Sequence, residues 1–238
     1  MDLKLRYRSS VLGIFWSLME PLLILAILFV VFSSILKTDI PNFPIFLLLG
    51  IILFQLYSRT TTMGMESILN RAGVVSNVSI PRIIFPISSS LTASYMMLIE
   101  FIVFFGFMVV FQYMPSQTIL FLPIIVLLVY VLGLGLAIPF SVLNVRYRDI
   151  RSIWTIVIQA SFFLTPIFYK LDFLPDLIRQ FIQFSPLAQL VEMAHLVVLD
   201  NKLPDPFWFT YTVLSVTSIF VIGVLLYKKF NKNLVERI

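Results

Sequence analysis

The sequence predicts an all-α membrane protein, with six transmembrane helices plus two short re-entrant or interfacial helices before the last span. Three observations lead there. Of 238 residues, 60% are hydrophobic and 12% charged, with mean hydropathy +1.01, which lies far from the composition of a soluble domain. The apolar residues fall in long runs nearly free of charge, each able to supply the roughly 20 helical residues that cross a hydrocarbon core. Stretches such as 21–36 are apolar on every face, where a barrel strand would alternate apolar and polar residues over about 10 positions. Residues 1–238 read as a single membrane domain.

With charges as punctuation, spans are expected at about 14–36, 43–62, 83–111, 119–143, 152–169 and 207–227. The first run is too long for a signal-peptide core and lacks a small-residue cleavage site, so it is expected to stay as an anchor helix. Residues 101–145 carry no charge. The turn dividing the third span from the fourth is placed at 113–117, where Pro115 removes a donor and Ser116 and Gln117 tolerate the headgroup layer. An even number of spans puts both termini on one side. Of the 17 Lys and Arg, 13 then fall on the terminal side, Arg59 among them, and Lys37, Lys170, Arg179 and Lys202 on the other. The positive-inside rule makes the first side cytoplasmic, together with the loops at 63–82 and 144–151.

Residues 170–206 are too long for a plain connector and too apolar for a solvated loop. Apolar residues at 174, 177, 178, 181 and 184, with Asp176, Arg179, Gln180 and Gln183 opposite, give one short amphipathic helix. Ser185 as N-cap and Pro186 at the first position open a second. Both are too short to span, and either dip into the outer leaflet or rest on its surface.

Several groups carry possible chemistry. Lys4, Arg6 and Arg8 lie among apolar residues just ahead of the first span, either as anchoring cations or as a cradle for a lipid pyrophosphate. The loop at 66–77, with Glu66, Asn70, Arg71 and Asn77, reads as a short helix ended by Gly73, and Arg82 follows before the third span. It is either a tight connection or a docking knob. Arg146, Arg148, Asp149 and Arg151 form a dense elbow, in which Asp149 can pair with Arg146 or Arg148 to brace two spans or grip a partner. Glu20 and Glu100 sit in or near spans, where an ionisable group is costly. Glu20, just before Pro21 at the cytoplasmic end, is accounted for by an interfacial position, while the deeper Glu100 needs an ion pair to a neighbouring helix, a wet channel or a proton. His195 reads as a packed or interfacial histidine rather than a ligand.

The chain excludes other chemistry. It has no cysteine and one histidine, which removes disulfides, thiolate catalysis and most zinc sites. No G-x-x-x-x-G-K-[ST] loop, H-E-x-x-H motif or G-x-S-x-G elbow occurs, so no catalytic residue is assigned and any ATP is bound by another chain. The net charge of +5 is read as topology rather than nucleic-acid binding.

Five segments occur together in order: LRYRSSVLGIFWSL at 5–18 with Pro21, IPR at 80–82, NVRYRD at 144–149, TPIFY at 165–169 and SPL at 185–187. In these the chain resembles the ABC-2 type permeases that export O-antigen, capsule and teichoic-acid chains. The resemblance implies a homodimer in the cell inner membrane, joined to two copies of a separate ATPase subunit that holds ATP and Mg. The cargo would be an undecaprenyl-diphosphate-linked polysaccharide moving along the dimer axis. It further implies an interfacial gate helix at 1–12 near the lipid pyrophosphate, a coupling loop at 63–82 received by the ATPase, and re-entrant helices at 170–206 facing the periplasm. Family members commonly carry residues ahead of the match to the LKLR at 3–6, so a shortened gate helix or a displaced start is expected. The other readings are a drug or small-lipid exporter of the same superfamily and an ion-coupled carrier dependent on Glu100.

Overall fold

The structure is a computed structural model that describes residues 15–35, 40–73 and 81–231. Among these residues every regular element is helical. Helix α1 is Phe15–Phe29 and runs directly into a π-helical turn at Val30–Ile35. Then come α2 at Phe43–Glu66, α3 at Ile84–Val110, α4 at Leu122–Arg146 and α5 at Asp149–Leu164. The short helices are α6 at Asp176–Gln183 and α7 at Pro186–Val198, and α8 at Pro206–Asn231 closes the described chain.

Among the described residues four helices are long and apolar enough to cross a bilayer: α2, α3, α4 with the 3-10 turn before it, and α8. Their bounds lie within about four residues of the expected spans. One of the other two expected spans falls short of that length. Helix α5 has 16 residues, about 24 Å at about 1.5 Å per residue against a core of about 30 Å. It stops at Leu164 because Thr165 is extended (φ −91°, ψ 137°), the conformation a following proline imposes, here Pro166. The first span is helical throughout its described part, 15–35, of which Met19–Phe32 is the apolar stretch. The four long helices thus establish a helical membrane protein. The bent pair α6 and α7, which turn by 99° at Phe184 and Ser185, is a re-entrant loop or a broken fifth crossing.

Helix α2 is the centre of the bundle. It packs on α3 and α4, and α8 closes against the far side of α4. From Ile45 to Tyr57 every side chain of α2 is buried, as its uniformly apolar sequence requires of a helix surrounded by others. Close approach is secured by small residues. A Cβ on Gly133 would stand 2.7 Å from the Thr60 methyl, and one on Gly64 2.6 Å from Ala137 Cβ. A Cβ on Gly223 would lie 1.9 Å from the carbonyl oxygen of Gly135. Dispersion and backbone proximity hold helices together where lipid removes the hydrophobic drive between them.

At one end of the bundle α7 is fastened to its neighbours. The His195 ring stacks on Phe46 with centroids 3.7 Å apart, and its Nε2 lies 3.0 Å from the Phe46 carbonyl. His195 is therefore a packed histidine. The free carbonyls at the end of α7 meet hydroxyls from the turn between α3 and α4: Tyr113 Oη lies 2.8 Å from Val198 O and Thr118 donates to Val197 O at 2.6 Å. These bonds satisfy orphan acceptors that a helix end leaves behind. At the start of α7 the Ser185 hydroxyl accepts from Ala188 N–H, with Pro186 in the first turn, as the sequence indicated.

Replacing Gly223 by Val should push α8 off α4, at a cost of about 1–3 kcal/mol for overpacking. Thermal unfolding of the purified chain in detergent checks this, with Gly106→Ala as the control, since a Cβ there meets nothing within 4 Å.

Candidate functional site: a buried charge cluster and a charged end

Helix α2 is apolar until Gln55, and one turn later carries Arg59 on the same face. Arg59 lies seven residues before the helix end at Glu66, about 10 Å along the axis. A lone guanidinium there is untenable in hydrocarbon, and three acceptors converge on it. Its Nη1 donates to Glu100 of α3, and its Nη2 to Gln55 and, at 3.0 Å, to Glu20 of α1. The side chain of Glu100 is 1% exposed, that of Arg59 11% and that of Glu20 57%. Glu100 thus resolves into one of its alternatives, an ion pair to a neighbouring helix. Glu20 is the second, more open partner. Arg59 is the residue the sequence reading missed, having been counted with the cytoplasmic loops. The signal was Gln55 and Arg59 at i, i+4 in an otherwise apolar span.

Beyond the cluster, the Thr61 hydroxyl and the Trp154 indole are satisfied locally. Thr61 Oγ1 donates to the carbonyls of Tyr57 or Ser58 and receives the Trp154 indole N–H of α5 at 3.2 Å. Trp154 is the one buried residue of α5. Through it this short helix is tied to α2.

The end of the bundle nearer Arg59 gathers most of the remaining expected residues. Glu66 ends α2, and Arg151 in the first turn of α5 pairs with it at 2.9 Å. The elbow's ion pair is therefore between segments, while Asp149 sits in the first turn of α5, where the helix dipole favours a carboxylate. Arg146 ends α4 with its guanidinium 5.2 Å from the Tyr147 ring centroid, and Arg148 precedes α5. After Glu66 the chain makes a 3-10 turn at Leu69–Arg71. Asn70 is exposed, Arg71 donates to Ser88 Oγ at 3.0 Å beside Phe85, and Arg82 stands just before α3. Glu66, Asn70, Arg71, Arg82 and the elbow thus share one charged end. Asn77 and the cations Lys4, Arg6 and Arg8, with the expected gate helix, lie outside the described residues. No group of three or more His, Asp or Glu suited to a metal occurs among the described residues.

Comparison with known proteins gives a family and several relatives. The model of the ABC-2 type transporter family matches residues 2–199. The chain is 29% identical over 232 residues to the O-antigen export system permease protein RfbA of Klebsiella pneumoniae, covering 95% of this chain and 90% of that one. It is 26% identical over 210 residues to the protein of the same name in Myxococcus xanthus, covering 86% and 79%. With the polysialic acid transport protein KpsM of Escherichia coli it shares 23% over 235 residues, covering 95% and 89%.

Arg59→Met should leave Glu100 as an uncompensated buried carboxylate and destabilise the bundle by about 3–5 kcal/mol, whereas Arg59→Met with Glu100→Met should recover much of that loss. Thermal unfolding of the two variants in detergent is the measurement, and equal losses would show that the pair is not the cause.

Proposed function

The chain belongs to the ABC-2 type transporter family, and we propose that it is the membrane-spanning subunit of an exporter that carries a lipid-linked polysaccharide of the O-antigen kind across the cytoplasmic membrane. The observation that carries this reading is the breadth of the likeness. Relatives named for O-antigen export and for polysialic acid transport match across most of both chains. Those names share a polymeric sugar cargo and differ in the sugar.

The geometry supports a division of labour. The chain carries no nucleotide-binding loop, so ATP and Mg belong to a separate ATPase, two copies of which serve a homodimer of this subunit. The charged end built from Glu66, Asn70, Arg71 and Arg151 is the surface that receives it. Because Glu66 ends α2 and Arg151 opens α5, pressure applied there reaches the central helix and the least-packed one together. The outward apolar side chains of α5, Ile153, Ile156, Val157 and Phe163, supply a face for the second copy. With α1 and α5 completed as crossings beside that copy, the subunit has six spans and both termini in the cytoplasm. Lys4, Arg6 and Arg8 are assigned to the diphosphate of an undecaprenyl-linked glycan.

Deleting the gene should abolish surface glycan and cause lipid-linked chains to accumulate inside the cell, with recovery on complementation. Glu66→Ala with Arg71→Ala should lose most of the co-purifying ATPase while the protein still accumulates. Unchanged surface glycan after deletion would remove the polysaccharide assignment, and retained ATPase in the double variant would move the docking surface elsewhere.

A further inference from the structure

At the end of the bundle opposite the charged platform, the loop before α6, the helices α6 and α7 and the start of α8 enclose a cavity of about 140 Å³. That is many times the roughly 10–15 Å³ a single water needs and below the roughly 300–1,000 Å³ of a drug-sized site. A ring-sized solute fits the interval. Its wall includes Asp172, Arg179, Gln189, Glu192, Asp205 and Trp208. This is a mixed set of acceptors, donors and one aromatic face.

The groups are held in place. Asp205 Oδ1 accepts the backbone N–H groups of Phe207 and Trp208 at 2.8 and 3.2 Å, which fixes the start of α8 and the indole it carries. The indole is wedged edge to face against Phe184, Phe207 and Tyr211. Gln189 is buried and donates to the Gln183 carbonyl at 3.0 Å. Arg179 pairs with Asp172 at 2.9 Å, and Lys170 outside the wall pairs with Asp200 at 3.3 Å. Both nearby cations are therefore engaged. One group of the wall is left over: among the described residues Glu192 Oε2 is buried without a hydrogen-bond partner. A buried acceptor in a folded protein calls for a donor, and here the cavity is what lies beside it.

A sugar ring answers each feature. Its C–H face is apolar and stacks on an indole, while its hydroxyls donate to carboxylates and accept from guanidinium and amide groups. With three carboxylates against one guanidinium on the wall, an acidic sugar or a phosphate is disfavoured. No carboxylate grouping suited to a metal occurs among the described residues. We infer that this cavity is a binding subsite for one neutral sugar residue of the cargo at the exit end of the subunit. The inference rests on the polysaccharide-export reading. The subsite holds the emerging chain briefly while the next unit advances, with Glu192 taking a hydroxyl proton in a hydrogen bond and Trp208 under the ring.

The test uses the full-length chain with its ATPase in the deletion strain. Asp172→p-benzoylphenylalanine places a photoreactive group at the rim, since Asp172 lines the cavity and its side chain is 71% exposed. Met114→p-benzoylphenylalanine places the same group at a position 91% exposed in the turn that packs on the end of α7. Irradiation of exporting cells should give glycan-bearing, higher-mass adducts from position 172 and few or none from 114. Glu192→Gln should slow the appearance of surface glycan several-fold, with unchanged protein level and ATPase co-purification. Loss of surface glycan on deletion with no adduct at 172, or with equal adducts at 114, or with Glu192→Gln exporting at the wild-type rate, overturns the subsite and leaves the export reading intact. Surface glycan that survives deletion overturns both.

Discussion

The arrangement of the first three helices follows from one guanidinium. Arg59 enters the bundle on α2 with no water to solvate it, and its charge is tolerable only because Glu100 meets it from α3 and Glu20 from α1. The desolvation cost of such a pair cancels much of its Coulomb energy, so its main effect is on which arrangements are allowed. Any packing that parts α2 from α3 strands a charge in hydrocarbon. The three partners are not equivalent. Glu100 is almost fully enclosed while more than half of the Glu20 side chain is exposed, so the bond to α1 is the weaker and can break with less loss. Helix α1 is therefore the element the cluster restrains reversibly, and α2 with α3 is the frame it is restrained against.

That frame continues through glycine. Gly64, Gly133 and Gly223 let α2 meet α3 and α4, and α4 meet α8, at distances a methyl group would close. Of the hydroxyls beside them, Ser90 bonds back to Pro86 O at 2.7 Å, while Thr60 Oγ1, against Gly133, is buried without a hydrogen-bond partner among the described residues. The result is a rigid core of α2, α3, α4 and α8. Two of the remaining helices attach to it by few polar bonds: α1 through Glu20, α5 through Trp154 and the Arg151 to Glu66 pair.

The long helices were legible in the sequence because each is a run of apolar residues closed by a visible stop: charge at the ends of α2 and α4, proline in the turn after α3. The short helices were legible too, because Ser185 with Pro186 and the amphipathic 174–184 stretch are local signals. What stayed hidden is what sequence neighbours do not encode. Arg59 was counted as a loop charge because its partners lie 39 and 41 positions away. Asp149 was paired with its neighbours, whereas the ion pair that forms joins Arg151 to Glu66 across two helices. Helix α5 was drawn too long because the apolar run continues through Thr165, although Pro166 ends the helix there. The cavity around Glu192 is built from four separate stretches between 171 and 208, none of which is unusual by itself.

The two ends of the subunit are built to different mechanical specifications. At the charged end, Glu66 and Arg151 couple α2 to α5 through a surface ion pair with the Arg151 side chain 69% exposed, a bond of the exposed kind worth about 0–1 kcal/mol. Such a contact is easily exchanged for one with a partner protein. At the other end α7 is locked by the His195 stack and by hydroxyls on its terminal carbonyls, while α6 beside it exposes Leu177, Ile178 and Phe181. A fixed α7 beside a loosely covered α6 and α5 gives a hinge-like asymmetry: the charged end holds an ion pair that another contact can replace, and the segments free to yield at the other end are those least tied to the core. Movement imposed at Arg151 reaches α5, whose far end stops at Thr165, a few residues before the loop that leads into α6. The chain path itself thus connects the charged end to the loosely covered α6, alongside the link that Arg151 makes to α2 through Glu66.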